Sequence, residues 1–142
     1  MKKCILIAAV ALGIIACSDS DGEVGLAGTW KLRTYTFYNP IDINGDSIAG
    51  NSLITETGCF SNTTMVFDEE GTVVLNDQTY SMDTTGVVCD SLIIPVTGSY
   101  NRSAENVTVN AGGAAKVFVK SGDKLTRVIE GDNGAIIQYF KQ

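Results

Sequence analysis

The stretch "LAGTWKL", residues 26–32, opens the first run of this chain in which apolar and polar residues alternate. Trp30, Leu32 and Thr34 fall on one face of an extended segment and Lys31 and Arg33 on the other, the period of a half-buried strand. The pattern recurs to the end. "TTMVF" (63–67) and "TVVLN" (72–76) flank "DEEG", a hairpin with Gly71 in its turn. "QTYSM" (78–82) reads as a continuation of the meander, and Pro95 in "LIIPVTGSYNR" (92–102) marks a strand end or an edge. "NVTVN" (106–110) points Val107 and Val109 inward. "AAKVFVK", "KLTRVIE" and "AIIQYFK" form three closing strands joined by the glycine-bearing turns "SGD" and "GDNG". About eight short strands at regular spacing, with no long helical stripe, predict an all-β up-and-down barrel or a compact sandwich.

Residues 1–16 stand apart. "MKK" is a basic n-region and "CILIAAVALGII" an apolar h-region too short for a comfortable membrane span, so the segment reads as a secretory signal. Its ending, Ile14-Ile15-Ala16-Cys17, resembles a bacterial lipobox, which implies lipidation of Cys17 and an anchor in the membrane. Residues 17–25 then form an acidic tether without bulky side chains. The expected address is the outer membrane of a bacterial envelope, on either its periplasmic or its outer surface.

The chain carries 16 acidic and 10 basic residues, a net charge of −6, and shows no basic patch. That balance repels nucleic acid and anionic headgroups, leaving the N-terminal lipid as the expected membrane contact. Of four cysteines, Cys59 and Cys89 remain for the folded domain, an even pair in an oxidising compartment. A disulfide between them closes a loop of about 31 residues, worth roughly 3–4 kcal/mol. A thiolate metal site would need further ligands, and the chain has no histidine.

"LAGTWKL", "TTMVFDEEGTVVL", "GSYNR…NVTV" and the terminal "KLTRVIEGDNGAIIQYFKQ" together resemble the lipocalin-like lipoproteins of Bacteroidota, over most of residues 26–142. The resemblance favours the barrel over the sandwich. It implies that Gly28 and Trp30 form the closed end, with a basic side chain from a late strand over the indole; Arg127 is the candidate by chain order. It also implies a small hydrophobic ligand inside. The chain is short for such a barrel, and its apolar residues, Val117 and Val119 among them, are numerous enough to fill the interior. No convergence of Arg and Tyr suited to a carboxylate is visible along the sequence.

Asp42, Asn44 and Asp46 in "IDINGDSIAGN" stand at the first three ligand positions of a calcium loop, with Glu56 as a later carboxylate. Ser47 replaces the glycine such loops need and Leu53 the bidentate glutamate, so a polar turn about Asn44-Gly45 is the competing reading. Three Asp-(Ser/Thr) triplets, beginning at Asp46, Asp83 and Asp90, resemble Bacteroidota O-glycosylation sites but serve equally as turn caps.

Without histidine there is no Ser-His-Asp or Cys-His constellation and no common zinc site, so a non-catalytic role is expected. Two roles stay open. A carrier needs an apolar cavity open at one end. A protein- or glycan-interaction module needs only a filled core and a binding surface on the loops, such as residues 39–58.

Overall fold

A computed structural model describes residues 25–142; the expected signal segment, Cys17 and the expected tether up to residue 24 lie outside the described residues. Eight strands close into an antiparallel up-and-down barrel: β1 (Gly28–Ile41), β3 (Thr64–Phe67), β4 (Thr72–Asn76), β7 (Val96–Ser103), β8 (Asn106–Asn110), β9 (Lys116–Ser121), β10 (Lys124–Ile129) and β11 (Ala135–Lys141). Pairing of β11 with β1, from Trp30 opposite Lys141 to Phe37 opposite Ala135, closes the ring. The expected barrel is present.

Two excursions interrupt the meander, both at the same end of the barrel. Between β1 and β3 lie β2 (Gly50–Ser52) and a five-residue helix, α1 (Leu53–Thr57). Ser52 caps the helix by accepting from the Thr55 N–H, and Gly58 ends it at φ 67°. Between β4 and β7, β5 (Tyr80–Asp83) and β6 (Gly86–Cys89) form a separate two-stranded hairpin. "QTYSM" therefore leaves the barrel instead of continuing it. The Cys59–Cys89 disulfide ties this hairpin to the end of α1.

Cross-strand rows explain the core. Trp30 is fully buried, and Met65, Phe67, Val73, Val107, Val109 and Leu125 are closed off around and above it. Burial of each such side chain contributes about 1.5–3 kcal/mol. Gly98 opposes Val73 where a Cβ would collide with the Asn110 carbonyl and Ala111, so only glycine lets the chain approach this closely.

Two strands differ from the alternation read off the sequence. In β9 the polarity is inverted: Val117 and Val119 face outward, 51% and 46% exposed, while Lys116, Phe118 and Lys120 face in. Register against β8 sets Phe118 opposite the buried Val107, and one aromatic inside outweighs two valines left in water. In β1 the register slips between Leu32, opposite Tyr139, and Thr34, opposite Gln138. This irregularity switches the inward face, so Tyr35 replaces Thr34 on the interior side.

Candidate functional site

The barrel is not filled. Above the Trp30 layer lies a cavity of about 270 Å³, just under the range of about 300–1,000 Å³ usual for small-molecule sites. Its walls are largely apolar, with Leu32, Met65, Leu75, Phe118, Ile129 and Ile137 among them. The rim is formed where the two excursions leave the barrel, at Phe60, Gln78 and Thr79.

The polar wall is built by register. Tyr35, Ile137 and Arg127 stand in one row across β1, β11 and β10, and all three line the cavity. One row deeper, Tyr139 lies between Leu32 and Leu125. Its ring packs edge-on against Phe118, centroids 6.0 Å apart. Burial pushes the Tyr139 hydroxyl well above the usual phenol range; the Asp77 charge and Tyr35 add to this and Arg127 opposes it. Tyr139 is therefore a proton donor, not a phenolate, at any physiological pH. At the rim Lys116 Nζ lies 4.0 Å from Asp77 Oδ2, with both side chains partly in solvent. Among the described residues no carboxylate pairs with Arg127.

Phe60 supplies the wall at the rim and occupies the left-handed region, φ 72°. That conformation costs a bulky residue about 1–3 kcal/mol and is over-determined by its surroundings. Cys59 is held by the disulfide, the Thr63 N–H donates to the Phe60 carbonyl at 3.1 Å, and the Phe60 ring meets Tyr80 edge-on at 6.0 Å.

The residues proposed for the closed end divide. Gly28 and Trp30 are there, the indole Nε1–H donating to the Leu26 carbonyl at 2.7 Å. Gly28 adopts φ 120°, and the space beside it is taken by the Lys141 side chain. Lys141, not Arg127, is the cation over the indole, 5.9 Å from the ring centroid. β11 ends opposite Trp30, which brings Lys141 to the indole, whereas Arg127 lies two interior rows further in. Arg127, Tyr35 and Tyr139 thus make the Arg–Tyr convergence that the linear sequence conceals. The signals that could have found them are a break in the β1 alternation and the counting of register back from the chain end.

The acidic loop after β1 is a self-capped turn. Asp42 accepts from the N–H groups of Gly45 (2.7 Å) and Ser47 (2.9 Å), Asn44 from Asp46, and Asp46 from Ile48. Glu56 is buried beneath the loop and accepts from the Ile43 N–H at 3.1 Å, in space that only Gly50 leaves open. The oxygens expected to surround calcium accept backbone N–H groups, and among the described residues no three acidic or thiol side chains converge as a metal-binding group. Asp83 likewise caps its own turn through Thr85, and Asp90 accepts from the Thr79 hydroxyl.

No protein-family model matches this chain, and no curated protein matches it. A crystal structure of an uncharacterized protein from Bacteroides eggerthii is similar at 11% identity, over 83% of this chain and all of that one, with a TM-score of 0.44. A likeness at that level assigns no function. What the chain's own geometry establishes is an eight-stranded barrel with a plugged end, an apolar cavity and one polar wall.

Proposed function

We propose that this chain is a non-catalytic lipoprotein of the bacterial envelope, of the lipocalin-like kind, whose barrel holds a small, largely apolar ligand. The cavity of about 270 Å³ carries the reading, because an eight-stranded barrel of this length can fill its interior and this one leaves space. Phe60, held in a strained backbone at the rim, supports it further, since such strain concentrates at ligand clamps. The envelope address rests on the signal segment and on Cys17 in its lipobox-like setting. An exported cysteine pair joined as a disulfide agrees with that address.

A second reading, a protein-interaction module, draws on one observation. Met82, Val88, Leu92 and Ile94, on the β5–β6 hairpin and the segment after it, are exposed, Leu92 by 75%.

Residues 18–142 contain every described element and the whole core, so a form starting at residue 18 and exported to the periplasm keeps the barrel intact. Native mass spectrometry of that form, compared with its denatured mass, tests the carrier reading. A reproducible bound mass lost on organic extraction is the expected result. A bare protein that also takes up no added amphiphile contradicts it. Cleavage and lipidation are tested separately by the mass of the N-terminal peptide from the full-length chain and from Cys17→Ser.

A further inference from the structure

We infer that the ligand carries an oxyanion head, a carboxylate in the simplest case, received by the Arg127 guanidinium and the hydroxyls of Tyr35 and Tyr139, with its apolar tail against the cavity walls. This rests on the carrier reading and names the chemistry of the same cavity.

Charge is the first argument. The chain as a whole is acidic, net −6, yet the cavity lining carries two cations, Arg127 and Lys116, against the single carboxylate of Asp77. Asp77 faces Lys116 at the rim, half in solvent, which leaves Arg127 as the cation without a carboxylate partner among the described residues. Arg127 is partly buried and lines the cavity, so an oxyanion entering there meets a cation that no carboxylate among the described residues already holds.

Geometry is the second. Arg127 and Tyr35 flank Ile137 in one row, and Tyr139 lies one row below, so the three polar groups share one wall of the cavity. Arginine offers a planar fork that matches a carboxylate in two parallel bonds, and a phenol adds a third donor from the side. Each tyrosine carries a phenolic O–H that can donate a hydrogen bond.

Chemistry ranks the alternative head groups below the oxyanion. An ammonium-headed ligand meets like charge from Arg127 and Lys116. A neutral alcohol fits the apolar walls but leaves the guanidinium unpaired, so it binds more weakly than the acid of the same length.

The experiment is isothermal titration of residues 18–142 with octanoate, 1-octanol and octylammonium at pH 7.4, repeated for Arg127→Gln and Tyr35→Phe. Octanoate is expected to bind about tenfold or more tighter than octanol, the scale of one charge-assisted hydrogen bond, with octylammonium weakest. Arg127→Gln removes that advantage while octanol affinity stays within about twofold; Tyr35→Phe reduces it by about three- to tenfold. Far-UV circular dichroism checks that each variant is folded, and retained octanol binding reports an intact cavity. Equal affinity for octanol and octanoate, or a preference unchanged in both variants, overturns the oxyanion assignment and leaves the carrier reading standing. Failure of all three probes to bind overturns both.

Discussion

The Lys141 ammonium stands 5.9 Å from the centroid of the Trp30 ring and donates to the Gly25 carbonyl at 2.6 Å. One side chain thus links the last strand, the plug and the start of the described chain. Trp30→Ala is predicted to cost about 3–5 kcal/mol, the range for emptying a buried aromatic site. Lys141→Met keeps the aliphatic cover and loses only the cationic contact and the hydrogen bond, about 1–2 kcal/mol together. Urea unfolding followed by circular dichroism measures both. Trp30 is the chain's single tryptophan, so its emission in the wild type reports this end of the barrel directly.

The disulfide joins the helix end at Cys59 to the β5–β6 hairpin at Cys89, across 30 positions of sequence. Reduction, or the double substitution of both cysteines by serine, is predicted to lower stability by about 2–4 kcal/mol. Because neither excursion supplies a barrel strand, the barrel should still form. Hydrogen exchange checks this: protection falls over residues 53–63 and 77–95 and persists in β10 and β11.

Tyr139 makes stability depend on alkaline pH. Its hydroxyl titrates above the usual phenol value in the folded chain because burial opposes the phenolate. Below a pH of about 10 the group is protonated folded and unfolded alike, and its contribution is fully present. Above that pH the unfolded chain ionises first and the contribution is lost, at up to about 1.4 kcal/mol per pH unit. Thermal midpoints between pH 8 and pH 11.5 should fall less steeply for Tyr139→Phe than for the wild type. Parallel slopes would place the alkaline sensitivity elsewhere.

The loop of Asp42, Asn44 and Asp46 is predicted to keep its shape from its own hydrogen bonds. Millimolar calcium or excess chelator should leave the thermal midpoint of the purified protein unchanged. Asp42→Ala, which strips acceptors from two backbone N–H groups, should lower it by an amount equivalent to about 1–2 kcal/mol.

Much of the barrel was legible in the sequence, because turn glycines and period-two alternation are local signals. The hairpin about Gly71 and the closing strands β10 and β11 follow directly from them. The cavity's polar wall was not legible, for three physical reasons. A register slip in β1 moves Tyr35 inward, and no propensity marks where such a slip falls. In β9, alternation alone assigns the two valines to the core, whereas packing of Phe118 against its neighbours decides the face. Chain order also cannot choose between Arg127 and Lys141 as the partner of Trp30; only the register of β11 on β1 does so. The acidic loop carries two readings in the sequence, since side-chain oxygens spaced for an ion are equally spaced to cap successive N–H groups.

The barrel interior, with Arg127 and the two tyrosines on one wall, is the proposed binding place of a small amphiphile. The most direct test of that placement is chemical-shift mapping of isotope-labelled residues 18–142 titrated with octanoate. Shifts are expected at Tyr35, Phe60, Phe118, Arg127 and Tyr139, saturating together at one equivalent, with residues 80–96 unaffected. Shifts confined to the exposed apolar side chains Met82, Leu92 and Ile94, with the interior silent, would contradict it.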